Sequence, residues 1–343
     1  MNRHTVIYLD ESYLSNMAKA QLGSLEGQGD CEFWLSLLEE LKQKVLADRI
    51  VCPELDFQRK EAALDTRIKE AVGRIIDELS RGLKFNTWED ILNLQIEDAA
   101  FKFLGRDSPT REIWATAFES DPQAPLKTRI QGVRRRPKSG IDRYLPLPEE
   151  VLEHERLKKA RWETFAKEAS RVYRGGDWDK GLRREKLYLV DCILGPEAWR
   201  HAKRLRNSGS LEDRWIADAI MQKMRALEQR LLEIGINDDN FMDFLKSDEL
   251  LNSASIDIHS SIRRAAAVNF PNRGQRGSDL YDPVILATVM PYCDIVTTDK
   301  FMKHISLTLL GLDKKYKCEV FSPSNEDRPD FQKRVKESKI ASR

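Results

Sequence analysis

The sequence predicts an α/β protein whose parallel sheet is interrupted by a long, all-helical insertion. Short apolar or β-branched segments near both ends of the 343-residue chain have the composition of buried strands, and a helical pattern follows or precedes each of them. This strand-helix order favours a parallel sheet. Strand signals are nearly absent between residues 66 and 269. The two ends of the chain are therefore predicted to assemble one sheet.

The first two strand-helix pairs lie within residues 1–65. Residues 5–9 are apolar and too short for a helix, and residues 49–52 have the same character before Pro53. Apolar residues recur at helical spacing after each strand. The predicted helices are 11–20, 33–45 and 54–64.

The middle of the chain, residues 66–269, is predicted to be helical throughout. Loops rich in Pro, Gly or charge break the series at 107–146 and 174–180. No period of about 20 to 50 residues recurs, which argues against a helical repeat array. An insertion of this kind offers a surface for a protein partner or for homo-oligomer formation. The predicted helices are 68–81, 88–104, 148–173, 183–205 and 211–234.

The α/β pattern resumes after residue 270. A helix at 280–290 precedes a strand at 294–298, and a helix at 301–310 precedes a last strand at 317–321. Residues 1–65 and 270–322 therefore form a discontinuous α/β core. Residues 323–343 are polar and highly charged, and we expect them to form a frayed tail.

Composition disfavours several classes of protein. Lys and Arg number 57 against 56 Asp and Glu, so there is no global basic field. The five cysteines are far apart and form no CxxC pair, which disfavours a zinc ribbon or a disulfide framework. No apolar segment reaches the roughly 20 residues that a membrane helix needs. We expect a soluble, cytoplasmic protein without a membrane partner.

Acidic residues follow the predicted strands. Asp10 and Asp299 each end a strand. Because ligands bind outside the carboxyl ends of parallel strands, both acids are expected at one edge of the sheet. Asp279 and Asp282 lie three residues apart at the opening of a helix and so share one face. Pro283 follows Asp282, so capping that helix is the alternative role of Asp282.

Carboxylates without a nearby histidine or cysteine favour a hard divalent cation, Mg²⁺ or Mn²⁺. Such ions polarise a phosphodiester, help to activate a water and stabilise the leaving oxygen. The five histidines are scattered along the chain and form no competing site. The sequence therefore predicts metal-dependent phosphoryl chemistry. The predicted metal ligands are Asp10, Asp279, Asp282 and Asp299.

In their order along the chain, these segments resemble the four acidic motifs of PIN-domain nucleases. The resemblance covers residues 1–65 and 275–322, and a typical member of that family is less than half as long as this chain. It implies a Rossmann-like, three-layer α/β/α sheet and a metal-dependent endonuclease that favours RNA over DNA. The matching segments are Leu9-Asp10, an acid after the second strand, the helix from Asp282 to Thr288, and Val296-Thr297-Thr298-Asp299.

The resemblance also implies a role for each acid. It makes Asp10 the first acid, Asp282 or Asp279 the third and Asp299 the fourth, with the hydroxyl of Thr298 or Thr297 orienting the last one. The second acid is either Glu61 or Glu54, and Glu61 is favoured. Glu61 lies on the helix after the second strand, where the glutamate of the family usually sits, whereas Glu54 directly follows Pro53 and has a capping role as its alternative.

A nearly neutral nuclease needs local cations to hold the phosphate backbone. Two groups of residues are candidates: the densest basic cluster of the 107–146 loop, and two arginines shortly before Asp279. These substrate-binding candidates are Arg134, Arg135, Arg136, Arg273 and Arg276.

Other acidic sites fit less well. A phosphatase of the haloacid-dehalogenase type needs a second aspartate where Ser12 stands, and an adhesion metal site needs a serine where Leu14 stands. The remaining alternative is a catalytically inactive PIN-like scaffold or nucleic-acid-binding module.

Overall fold

The computed structural model describes residues 4–24, 30–62, 65–108, 117–124, 177–207, 211–270 and 281–338. The predicted α/β class is confirmed, because these residues combine many helices with a small, all-parallel sheet of four strands. The predicted helix at 148–173 lies outside the described residues. No helix within the described ranges is both long and apolar enough to span a membrane.

The sheet has the strand order β2-β1-β3-β4. Ile7 lies opposite Ile295 and Tyr8 opposite Val296, so the first and third strands are central neighbours. The chain progresses outward in opposite directions from this central pair, and ligands of open parallel sheets bind at such a reversal. The strands are β1 (Thr5–Tyr8), β2 (Ile50–Val51), β3 (Ile295–Thr297) and β4 (Glu319–Phe321).

Helices account for most of the other described residues, and a π-helical segment (His304–Leu309) follows one of them. In chain order the helices are α1 (Glu11–Gln21), α2 (Cys31–Leu46), α3 (Asp56–Ala62), α4 (Lys69–Ser80), α5 (Trp88–Phe103), α6 (Trp178–Ile193), α7 (Pro196–Arg206), α8 (Leu211–Ile234), α9 (Phe241–Lys246), α10 (Asp248–Leu251), α11 (Ala254–Asn269), α12 (Asp282–Val289), α13 (Lys300–Lys303), α14 (Leu312–Tyr316) and α15 (Arg328–Glu337).

The described residues divide into two compact units. The first unit comprises residues up to 88, 117–124 and 281–338, and it contains the sheet. The second unit comprises 89–108 and the described residues between 177 and 270, and its regular elements are helices. Within the first unit, α4 packs against α1 and α2. The described acids of the predicted site, Asp10, Glu61, Asp282 and Asp299, all belong to the first unit.

The core of the first unit includes the helix α15. The Tyr13 ring meets Trp34 edge-on at 5.4 Å between centroids and Phe331 at 5.1 Å. Phe331 and Val335 of α15 are fully buried in this core. Because they are four residues apart, they share one helix face. The expectation of a frayed tail is therefore wrong for α15.

Two predicted helices are interrupted. The helix predicted at 183–205 is two helices, α6 and α7, because Gly195 interrupts the series and Pro196 begins a new helix. Proline lacks the N–H that would continue a helix and fits the first turn of the next one. The helix predicted at 301–310 is the short α13 followed by the π-helical segment.

Candidate active site at the strand edge

Asp10 joins the end of β1 to the start of α1. Its carboxylate accepts hydrogen bonds from the backbone N–H of Ser12 at 3.4 Å and from the Ser12 hydroxyl at 2.8 Å, and so caps the helix. The backbone N–H of Asp10 donates to Oγ1 of Thr297 at 2.7 Å. Thr297 is the last residue of β3. This bond therefore ties the carboxyl ends of the two central strands together.

The Asp10 carboxyl lies among other negative charges. Burial raises its pKa from 3.8 to about 6, and the charges of Glu11 and Asp299 add to the increase, whereas the hydrogen bonds from Ser12 oppose it. Burial also raises the pKa of Glu11. Sequence reasoning missed Glu11, although it directly follows Asp10. Acids with perturbed pKa values are concentrated at functional sites.

Asp299 occupies the equivalent position after β3. Its Oδ1 accepts a hydrogen bond from the backbone N–H of Met302 at 2.7 Å and caps α13. The side chain is half-buried, and its charge contributes to the raised pKa of Asp10. The structure thus brings Asp10 and Asp299 to the same edge of the sheet, at the reversal of strand order.

Two helices bring further acids to this edge. Glu61 lies in the last turn of α3, Asp282 is the first residue of α12, and both are half-buried. The charges of Glu61 and Asp282 both affect the pKa of the Tyr8 hydroxyl, at the end of β1. Its pKa is raised well above the ordinary value, first by burial and then by the charges of Asp10, Glu61 and Asp282. Acids from four elements therefore lie near the carboxyl ends of β1 and β3.

Glu54, the other candidate for the second acid, is held in an ion-pair network. Its side chain is 2% exposed and lies 2.5 Å from Nε of Arg59 and 3.3 Å from Nζ of Lys84. Burial raises the pKa of Glu54, but the hydrogen bonds and charges of Arg59 and Lys84 outweigh burial and leave it below the usual value. Because two cations neutralise Glu54, the geometry favours Glu61 as the second acid.

Gln58 connects two of the acid-bearing segments. Its side-chain amide donates to the carbonyl of Leu9, and its Oε1 accepts from the backbone N–H of Leu55 at 2.7 Å. Leu9 precedes Asp10, and Gln58 lies on the same short helix as Glu61. One buried amide therefore fixes α3 against the end of β1. Sequence reasoning missed Gln58, because its partners are set by the tertiary structure and its only local signal is an uncharged polar residue among charged ones.

Two aromatic rings pack beside the acids. Phe57 lies one turn before Glu61, and Tyr281 directly precedes Asp282. Their ring centroids are 5.5 Å apart with an interplanar angle of 47°. This contact joins α3 to the start of α12 and so keeps Glu61 and Asp282 on the same side of the sheet.

The remaining residues of the predicted site are Thr298 and a group that lies outside the described ranges. Thr298 is buried, and its backbone N–H donates to the carbonyl of Phe321 at 2.9 Å. The hydroxyl that contacts the backbone of Asp10 is that of Thr297. The predicted residues that lie outside the described ranges are Asp279, Arg134, Arg135, Arg136, Arg273 and Arg276.

The candidate metal ligands suit a hard divalent cation because all of them are carboxylates. The capping bonds engage Oδ2 of Asp10 and Oδ1 of Asp299, and a carboxylate has a second oxygen for a cation. Within the described residues, however, no three His, Cys, Asp or Glu side chains are close enough to hold one ion. The described acids lie near one edge of the sheet, but no three of them surround a common ion position.

Comparison with protein-family models, curated proteins and solved structures found no match. The site is therefore interpreted from its own residues and from the sheet that positions them.

Proposed function

We propose that the chain is a cytoplasmic, PIN-like endonuclease that uses Mg²⁺ or Mn²⁺ to hydrolyse phosphodiester bonds and favours RNA over DNA. The observation that carries this proposal is the gathering of Asp10, Glu61, Asp282 and Asp299 near the carboxyl ends of β1 and β3. Like charges brought together in a partly buried place oppose folding unless a cation binds them. The parallel sheet and the separate helical unit support a PIN-like core with a helical insertion.

Each acid has a role in this proposal. Asp10, Asp282 and Asp299, with Asp279, would hold the metal, which polarises the phosphodiester and helps to activate a water. Glu61, the second acid of the set, is held through Gln58 and α3. Ser12 and the Met302 N–H keep the carboxylates of Asp10 and Asp299 oriented. A pKa of about 6 leaves Asp10 ionised at neutral pH and so able to bind a cation.

Substrate binding is assigned to basic residues that the sequence predicts for it and that lie outside the described ranges. Arg273 and Arg276 precede the proposed ligand Asp279 by a few residues, and the basic cluster Arg134–Arg136 is the other candidate. Thr298, next to Asp299, is proposed to orient that last acid.

One observation favours a second candidate function, a catalytically inactive PIN-like scaffold or nucleic-acid-binding module. The described acids are not close enough for three of them to share an ion. In a scaffold the acids would remain apart at any metal concentration, whereas in a nuclease they close around the cation.

Cleavage of labelled single-stranded RNA and DNA in Mg²⁺, Mn²⁺ or a chelator separates the two functions. Asp10→Asn and Asp299→Asn should abolish metal-dependent cleavage by the wild-type protein. Glu326→Gln is the matched control, because this acid of the first unit has a side chain that is 83% exposed. The nuclease proposal fails if the folded wild type cleaves neither polymer, or if the two Asn variants cleave as fast as the control.

A further inference from the structure

The second unit contains a strongly basic helix, α7, that the proposed active site does not use. This helix carries one acid, Glu197, and four cations, Arg200, Lys203, Arg204 and Arg206. The whole chain has a net charge of only +1. Positive charge is therefore concentrated locally, and a nearly neutral protein needs such a concentration to hold a polyanion.

The four cations of α7 lie on one side of the helix. At 3.6 residues per turn they fall within an arc of about 160°. The side chains of Arg200, Arg204 and Arg206 are 64%, 67% and 60% exposed. Ala198 and Ala202, on the opposite side, are buried, and α7 packs against α8. The small residues bring α7 close to its neighbour, and the cations project into solvent.

Ion pairs restrict the positions of these arginine side chains more than they cancel their positive charge. One carboxylate, that of Glu197, lies 2.9 Å from Nη1 of Arg200 and 2.6 Å from Nη2 of Arg204. The contact between Arg206 and Asp218 is longer, at 3.9 Å, and exposed pairs of this kind contribute little energy. Guanidinium groups held in such positions are suited to bidentate contacts with phosphates.

The chemistry of α7 fits a nucleic-acid backbone better than an anionic membrane. A helix that lies on a bilayer presents an apolar face to the lipid, but Ala198 and Ala202 face the protein interior. The half-buried Trp199 is engaged as well: its Nε1 donates to Glu228 at 3.3 Å, and the guanidinium of Arg225 lies 6.0 Å from its ring. The helix therefore offers cations without an apolar surface.

We infer that α7 is a binding site for the phosphodiester backbone of nucleic acids, contacted by Arg200, Lys203, Arg204 and Arg206. Backbone contacts carry no sequence information, so binding at α7 is insensitive to base sequence and falls steeply with salt. This site does not depend on the proposed catalytic activity, since it requires only that the protein bind nucleic acid.

The test is fluorescence anisotropy of the full chain with a labelled single-stranded oligonucleotide of about 20 nucleotides, longer than a typical single-strand site. A chelator is present so that cleavage cannot contribute. The triple variant Arg200→Gln/Lys203→Gln/Arg204→Gln should weaken binding at least about tenfold. The logarithm of the association constant falls linearly with the logarithm of the salt concentration. The triple variant should make this slope less steep by about 2, or roughly 0.7 for each lost phosphate contact. Gln keeps a high helix propensity, and circular dichroism checks folding.

A second triple variant, Lys180→Gln/Arg184→Gln/Lys246→Gln, removes the same charge from exposed positions of the second unit outside α7. It should leave the affinity within about twofold of wild type, because only local contacts set the salt slope. Equal losses in both triple variants would attribute binding to net charge and overturn the inference. The inference is also overturned if the α7 variant binds the oligonucleotide as tightly as the wild type does. It is likewise overturned if the wild type binds anionic vesicles or an acidic protein but no nucleic acid.

Failure of this inference and failure of the proposed function can be told apart. A wild type that binds through α7 but never cleaves contradicts only the nuclease proposal. An α7 variant that binds and cleaves like wild type, while Asp10→Asn does not cleave, contradicts only the α7 site.

Discussion

Replacement of Asp10 by Asn should stabilise the metal-free protein at neutral pH, although it removes a carboxylate that the proposed activity requires. Burial raises the pKa of Asp10 from 3.8 to about 6, with further contributions from Glu11 and Asp299. The folded state therefore disfavours the ionised form. Asn has the same shape and can still accept the hydrogen bonds from Ser12, but it carries no charge.

The size and sign of this effect follow from the raised pKa. A shift of about two units corresponds to about 3 kcal/mol at 1.36 kcal/mol per unit. Partial exposure of the half-buried side chain reduces the expected gain to about 1–2 kcal/mol. Below pH 3.8 the Asp10 carboxyl is protonated in both the folded and the unfolded states, so its burial does not reduce the free energy of unfolding. As the pH rises from 3.8 through about 6, the carboxyl ionises more readily in the unfolded state, and the folded wild type loses stability. The advantage of Asn therefore grows over that range.

Urea unfolding in a chelator, followed between about pH 4 and pH 8, measures this difference. The Asp10→Asn variant should have nearly the wild-type free energy of unfolding at the acid end and a higher one at the alkaline end. Added Mn²⁺ should then stabilise the wild type but not the variant. The exposed-acid variant Glu326→Gln should follow the wild type throughout. An equal destabilisation of Asp10→Asn at every pH would refute the electrostatic argument for the cluster.

Three further substitutions test the packing around the site and in the second unit, each by urea or thermal unfolding. Gln58→Leu leaves the Leu9 carbonyl and the Leu55 N–H without their buried partner and should cost about 2–4 kcal/mol; an unchanged stability would show that this amide does not hold α3. Lys186→Met removes the cation 2.6 Å from the Asp257 carboxylate, and both side chains are less than 10% exposed. The expected cost is about 3–5 kcal/mol, and Lys186→Met/Asp257→Leu should recover part of it; a double variant as unstable as the sum of the single variants would contradict this account. Gly181→Ala places a Cβ 1.9 Å from Nη1 of the buried Arg264. Helix propensity alone predicts a gain of about 1 kcal/mol, whereas the clash predicts a loss of about 1–3 kcal/mol, so a higher Tm would disprove the clash.

The strands were predictable because their local sequences are unambiguous. The residues of β1 and β3 are apolar or β-branched, both strands are too short for helices, and each is followed by an acid. The parallel order of the sheet then accounts for the common edge on which Asp10 and Asp299 lie. The α15 helix was missed because its charged residues conceal the two apolar positions, Phe331 and Val335, that bury it.

The sequence favours Glu61 over Glu54 as the second acid but does not settle the choice. Glu54 is neutralised partly by Lys84, 30 residues away along the chain, and this pairing exists only in the folded structure. Gln58 shows the same limit, since its partner Leu9 is 49 residues away. Local patterns thus locate acids at the ends of elements, but tertiary contacts decide which partners an acid such as Glu54 acquires.

The most direct test of the central claim is a crystal structure of the protein soaked in Mn²⁺, with the ion located by its anomalous scattering. We expect a peak between Asp10, Asp282 and Asp299, with the carboxylates closed around it and Glu61 nearby. A well-ordered strand edge that shows no peak at saturating Mn²⁺, with these carboxylates still apart, would contradict the claim.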